Sequence, residues 1–293
     1  MFQEAYKLPQ LNYSIYKRRK KNGKFRVITA PNEDLKKLQA EFNEYLYTQY
    51  KTFLDERPYI TGFVPERNII SNATVHLNQE WLINIDLKDF FPSITAGLIE
   101  QFLSADMNFK DLSKEEILSF ICHEGVLPQG SPCSPMIANI IASRLIDDKI
   151  VSAAKQYGYN YTRYADDLTF STDRKITRDE VIFFGSKICK IISESEYLKV
   201  NDKKCNIKHR SQKQMVTGVL VNNEEVGVNK ALRNKLRAVL HQHKLLDKPL
   251  DDKVGGILGF IKQVNNEQFT KLTKDFPCRL LTLNYSNQTL LPK

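Results

Sequence analysis

The chain has 293 residues, 42% of them hydrophobic and 26% charged, enough for a substantial apolar core in an ordinary soluble composition. Lys and Arg outnumber Asp and Glu by 43 to 34, a formal charge of +9, which fits a polyanionic partner such as nucleic acid or an anionic membrane surface. Five cysteines (Cys122, Cys133, Cys189, Cys205, Cys278) with no C-x-x-C pair disfavour a zinc site or disulfide framework and fit free thiols in a reducing cytoplasm.

The N-terminus carries no apolar run of the secretion-signal type, and no internal repeat indicates a solenoid. Near it, Lys17 to Lys21, Lys24 and Arg26 form a basic run around Asn22-Gly23. Strand-like residues flank it (Tyr13, Ile15, Tyr16; Phe25, Val27, Ile28), so a hairpin with a positive tip is expected. Helical spacing follows from Asp34 through Leu35, Leu38, Phe42 and Leu46. Trp81 to Asp86 has the character of a buried strand ending in an acid. Helices are expected around Leu98–Leu103 and Glu115–Cys122. The uncharged stretch from Gly125 to Ser143 is broken by Pro128, Pro132 and Pro135, which argues against a membrane span. A long helix should run from Pro135 to Gln156.

Tyr159–Tyr164 and Leu168–Ser171 are short β runs around Ala165-Asp166-Asp167. Thr177 and Glu180 match a capping box for a helix with Val181, Phe184, Ile188 and Ile191 on one face. Strands are expected near Leu198–Val200 and Met215–Val221. Asn229 then caps a helix bearing Leu232, Leu236, Val239 and Leu240, with Lys230, Arg233, Arg237 and Lys244 on its other surface. A last helix runs from Asp251 to Val264. Strands and helices interspersed in this way predict an α+β or α/β protein.

Two adjacent carboxylates at Asp166-Asp167, in a turn between apolar strands, repel one another. A divalent cation would offset that cost, and hard oxygen ligands suit Mg²⁺; a plain solvated Asp turn is the alternative. If the strand ending at Asp86 pairs with this hairpin, three carboxylates converge at one end of a sheet. Such a set can hold two metal ions about 4 Å apart for in-line nucleotidyl transfer. Asp89, displaced toward the next turn, is expected to hydrogen-bond locally.

Asp86-Leu-Lys-Asp-Phe-Phe-Pro-Ser, Leu127-Pro-Gln-Gly-Ser-Pro, Tyr164-Ala-Asp-Asp and Val200-Asn-Asp-Lys-Lys resemble, in order and spacing, the motifs of reverse transcriptases. The resemblance extends from about Lys17 to Val221. It implies a right-hand polymerase of α+β class: fingers over 1–85, an antiparallel palm with an inserted fingers segment over 86–226, and a short helical thumb over 227–293. It implies that Asp86, Asp166 and Asp167 are the catalytic metal ligands for two Mg²⁺ ions. Phe91 takes the steric-gate position, where an aromatic ring excludes a ribonucleotide 2′-hydroxyl. Arg26, Leu87, Gln129, Gly130 and Lys204 complete the deoxynucleotide-binding set, with Gly130 permitting close backbone approach and Arg26 suited to phosphate. Lys20, Lys21 or Lys24 could share that last role.

Asn72-Ala-Thr-Val-His76 and Val216-Thr217-Gly218 resemble the N-A-x-x-H and V-T-G elements of retron enzymes. On that resemblance Asn72, His76, Val216, Thr217 and Gly218 are candidate RNA contacts, with His76 structural or RNA-contacting and no catalytic base. Between Lys203 and Lys248 there are eleven Lys or Arg against Glu224, Glu225 and Asp247, so Lys230, Arg233 and Arg237 are expected on duplex backbone. The implied partners are a dedicated structured noncoding RNA serving as template and primer, its branched RNA–DNA product, deoxynucleoside triphosphates and a separate effector protein in antiphage defence. No membrane is implied. Two alternatives stand beside this one: a group II intron-like reverse transcriptase, and an RNA-binding scaffold restraining a partner toxin.

Overall fold

The computed structural model describes residues 12–19, 23, 25–103 and 108–277. Strands β1 (Tyr13–Arg19) and β2 (Phe25–Pro31) pair antiparallel with Arg18 opposite Arg26, the expected hairpin. Lys20, Lys21, Asn22 and Lys24 lie outside the described residues, as does Cys278. Helix α1 (Glu33–Gln49) begins one residue before Asp34. Its true cap is Asn32, whose side chain accepts from the Leu35 N–H, satisfying one of the first-turn donors. Leu35, Leu38, Phe42 and Leu46 are its buried stripe. The short helices α2 (Lys51–Asp55) and α3 (Ile69–Thr74) follow; neither is long enough to show a period in the sequence.

Strand β3 (Trp81–Lys88) is buried along almost its whole length, as a near-continuous apolar run between two partners should be. Helices α4 (Ala96–Leu103) and α5 (Lys114–Ile121) stand where periodicity placed them, the second opened by a Ser113–Glu116 capping box. The long helix is present in three pieces. Helix α6 (Ser134–Ala142) carries Pro in its first turn and is buried nearly all round. A π-helical turn (Ser143–Asp147) follows, and α7 (Asp148–Tyr157) ends on Gly158 at φ 70°. That last conformation suits glycine because it has no Cβ to clash.

Strands β4 (Asn160–Tyr164) and β5 (Asp167–Thr172) precede helix α8 (Arg178–Ser193) with its Thr177–Glu180 capping box. The buried face of α8 uses Ile192 in place of the expected Ile191, alongside Val181, Phe184 and Ile188. Phe184 stacks on Tyr159 and meets Phe170 edge-on, and Phe170 stacks on Tyr161. The helix is thus pinned to the hairpin by aromatic pairs, each contributing about 0.5–1.5 kcal/mol beyond its buried area. Next come β6 (Lys199–Val200), a 3-10 turn (Asp202–Lys204) and β7 (Asn206–His209).

The expected strand over Met215–Val221 is two strands, β8 (Met215–Val216) and β9 (Val219–Leu220). Thr217 and Gly218, at φ 46° and 87°, are the two central residues of a tight hairpin turn whose left-handed backbone matches strand twist. Helices α9 (Lys230–Leu245), α10 (Asp252–Val264) and α11 (Asn266–Thr273) end the described chain. Helix α11 is one more than the pattern predicted. On α9 only Leu236 and Leu240 are buried, fewer than the four expected.

The main sheet has the order β4-β5-β3-β6, with β7 also paired to β3. The chain divides into two compact units that do not follow the sequence-based boundaries at 85 and 226. Of the described residues, the first takes those up to 68 and those within 83–170 and 176–207; the second takes 69–82, 171–175 and 208–277. No described helix is long and apolar enough to cross a membrane.

Candidate active site

In the first unit, Ala165 and Asp166 turn the chain from β4 into β5. Ala165 sits at φ 56°, a left-handed backbone that costs an L-residue roughly 1–2 kcal/mol and persists where the surroundings over-determine it. The turn meets β3 directly: the Leu87 N–H donates to the Asp166 carbonyl at 2.8 Å. On the other edge of β3, Leu87 pairs with Val200 and the Asn201 N–H donates to the Asp86 carbonyl at 2.8 Å. Asp86 therefore stands between the Asp166-Asp167 turn and the Asn201–Lys204 segment, the juxtaposition the sequence required.

Asp86 is only 6% exposed and both its oxygens are engaged. Asn201 Nδ2 donates to Oδ1 at 2.8 Å, and the Lys204 ammonium pairs with Oδ2. Partial burial works to lower the Lys204 pKa. The hydrogen bond to Asp86 and the charges of Asp86, Asp166 and Asp167 outweigh it, so the net shift is upward. One ammonium thus feels all three carboxylates. Among the described residues, no three acidic, His or Cys side chains already stand in metal-ligating geometry. The donor set nonetheless fits a divalent cation: hard carboxylate oxygens on adjacent backbone positions, with a cationic group held in their common field.

The other expected nucleotide residues divide. Phe91 is half-buried beside Phe90, ring centroids 5.5 Å apart. Leu87 is 2% exposed, so its side chain belongs to the core and its contribution at the site is the backbone bond to Asp166. Gly130 is exposed at φ 132°, and a Cβ there would meet the Thr29 carbonyl oxygen at 2.8 Å. The Thr29 N–H donates to the Gln129 carbonyl at 2.8 Å. The close approach that calls for glycine is thus to β2. Arg26 lies on β2 opposite Arg18.

In the second unit the two short retron-like elements meet, with Asn72 Nδ2 donating to Thr217 Oγ1 at 3.3 Å. Asn72, His76 and Val216 are at most 1% exposed, which corrects their expected place on an RNA-facing surface. His76 Nδ1 lies 2.7 Å from Ser171 Oγ, and burial pushes its pKa down to about 3. It is a neutral core side chain, the structural alternative. Thr217 is half-buried and Gly218 exposed, while on α9 Lys230 and Arg237 are exposed and Arg233 half-buried.

Sequence reasoning missed Asn201, whose side chain fixes one oxygen of Asp86. It stood inside a matched motif, but nothing local says where its amide points. It also missed a buried network behind the turn, built on Arg163.

The reverse transcriptase (RNA-dependent DNA polymerase) family profile matches residues 18–244. Retron Ec86 reverse transcriptase of Escherichia coli is 33% identical over 89% of this chain and 79% of its own length. The chain belongs to the retron-type reverse transcriptases. Retron Mx65 reverse transcriptase of Myxococcus xanthus is 32% identical over 87% of this reverse transcriptase and 62% of its own length. Among solved structures, telomerase from Candida tropicalis superposes with TM-score 0.55 at 14% identity, covering 91% of this chain and 59% of that one. Telomerase from Candida albicans gives 0.52 at 14%, covering 94% and 59%. At such identity the likeness is one of fold, an α+β right-hand polymerase. The enzyme is an RNA-directed DNA polymerase, and its reverse-transcriptase domain implies a divalent metal cofactor.

Proposed function

We propose that this reverse transcriptase copies part of a dedicated structured noncoding RNA into DNA, primed from an RNA 2′-hydroxyl, with Asp86, Asp166 and Asp167 as ligands for two Mg²⁺ ions. The supporting observation is the meeting of these three aspartates in the field of one ammonium, Lys204, across neighbouring strands. Bound Mg²⁺ ions would activate the attacking oxygen and stabilise the leaving one. The chain's own residues supply position. Asn201 holds one oxygen of Asp86, and Lys204 pairs with the other. Lys204, once released from Asp86, carries its charge to the departing pyrophosphate. Phe91 bars a ribose 2′-hydroxyl, Arg26 and the Gln129-Gly130 loop flank the incoming nucleotide, and Lys230, Arg233 and Arg237 grip duplex backbone through phosphates. Branched RNA–DNA would be the product, made in the cytoplasm in an antiphage system with a separate effector protein.

Replacing both Asp166 and Asp167 by Asn should reduce DNA synthesis at least about 100-fold, the scale of removing transition-state charge stabilisation. RNA affinity, measured by filter binding, should stay within about twofold because the phosphate contacts lie elsewhere. Retained synthesis would exclude these ligands. Sequencing the nucleic acid that co-purifies decides the template: a short branched RNA–DNA supports the retron reading, and a large intron RNA excludes it. Phe91→Ala should raise ribonucleotide incorporation, read by alkali sensitivity of the product; an unchanged preference with activity retained refutes the gate.

A further inference from the structure

Arg163 comes directly before the Tyr164–Asp167 turn and is wholly sealed from solvent, as is its partner Asp147. Its Nε donates to both oxygens of Asp147, at 3.1 and 3.0 Å, and one terminal nitrogen donates to Oδ2 at 2.7 Å. Tyr161 Oη donates to the same carboxylate at 2.7 Å. The guanidinium also donates to Asn139, to its side-chain oxygen at 2.9 Å and its carbonyl at 3.2 Å. Asn139 in turn donates through Nδ2 to the Gly62 carbonyl at 2.8 Å. Gly62 lies against the catalytic turn: a Cβ there would stand 2.7 Å from the Ala165 nitrogen and 3.1 Å from Tyr164 backbone carbons. The segment before it is tied alongside β4, with Arg163 N–H donating to the Tyr59 carbonyl at 2.7 Å and Thr61 N–H to the Arg163 carbonyl at 2.9 Å. The circuit closes on itself: Arg163, Asn139, Gly62, the turn, Arg163.

The geometry points to Arg163, Asp147, Asn139 and Gly62 as positioning residues that set the Asp166-Asp167 turn for metal binding. A buried ion pair is a poor device for stability, since apolar side chains of similar volume serve as well or better. What a guanidinium offers that leucine does not is direction, through a planar fork of five donors. Here one side of the fork is anchored on Asp147, and the other reaches Asn139, which donates to the Gly62 carbonyl beside the turn. Asp147 reaches the fork from a π-helical turn, an irregularity that gives up regular helix geometry and concentrates at functional sites. Ala165 keeps its left-handed backbone beneath Gly62, in the place where only a glycine backbone fits so close. The inference rests on the metal reading of Asp166 and Asp167 and extends it to residues that touch neither substrate nor ion.

Two full-length variants test it, with Mn²⁺ as probe and binding followed by electron paramagnetic resonance. Gly62→Ala keeps the ion pair and pushes on the turn; Arg163→Met with Asp147→Leu keeps the volume and removes the direction. Both should weaken Mn²⁺ binding about tenfold and lower kcat at limiting Mn²⁺. RNA affinity and KM for deoxynucleotides should stay within twofold, excess Mn²⁺ should restore much of the rate, and the double variant should melt near the wild-type temperature. Mn²⁺ affinity within twofold of wild type in Gly62→Ala would overturn the inference, whatever the double variant does. Wild-type protein that bound Mn²⁺ no better than Asp166→Asn would overturn the metal reading itself, and this inference with it.

Discussion

Two aspartate–cation pairs of the first unit use the same charges for opposite ends. Arg163–Asp147 is fully buried on both sides, and every described oxygen of the carboxylate is met by a donor. Lys204–Asp86 joins a lysine side chain 54% exposed to an aspartate side chain 8% exposed. In the first, a rigid fork leaves nothing free to exchange. In the second, a flexible stem holds a point charge that can swing away, with Asn201 keeping Asp86 oriented meanwhile. Permanence comes from burial with planar geometry, and exchange from exposure with a single contact.

The contrast has measurable consequences of graded size. Asp147→Ala strands a buried guanidinium and should destabilise the protein by about 3–5 kcal/mol in urea denaturation. A loss under about 1 kcal/mol would mean that water reaches Arg163. His76 offers a third treatment of a buried titratable group, being kept neutral. Unfolded, its imidazole takes up a proton below about 6.5; folded, it does so only near 3. The unfolded chain therefore binds more protons across that window, and stability falls as pH drops from 6.5 toward 3. Between pH 7 and pH 5 the loss from this residue should be about 2 kcal/mol. Urea midpoints of wild type and His76→Gln at both pH values isolate it, and equal pH slopes would refute the assignment.

The smallest effect belongs to the exchangeable pair. Lys204→Met should cost at most about 1 kcal/mol without divalent ions, since an exposed partner is well screened. Adding Mg²⁺ should cancel most of that cost by supplying the missing cation. Thermal shift with chelator and with Mg²⁺ reads both numbers, and a deficit that Mg²⁺ leaves untouched would separate Lys204 from the metal site.

Much of the fold was legible because its signals are local. The β1–β2 hairpin, the stripe of α1, the Thr177 capping box and the apolar run of β3 each follow from residues within one or two turns of chain. The same holds for the carboxylates: Asp166-Asp167 is a contiguous pair, and Asp86 lies two residues before the end of a strand whose burial its own residues announce. The V-T-G element looks like continuous strand in the sequence because Val216 and Val219 flank a two-residue turn that alternation does not reveal. Asn72, His76 and Val216 lie in the core, which the sequence does not disclose because a polar or motif residue declares its type and never its exposure.

Residue order thus specified the chemistry available, three carboxylates, a gate-like aromatic and a surplus of cations, since side-chain type and spacing are properties of the chain. Their coordination was decided by contacts between distant segments: Asn201 to Asp86 across 115 residues, Arg163 to Asp147 through a π-turn, Gly62 against Ala165. Such contacts depend on direction and burial, which exist only once strands pair and helices pack around them.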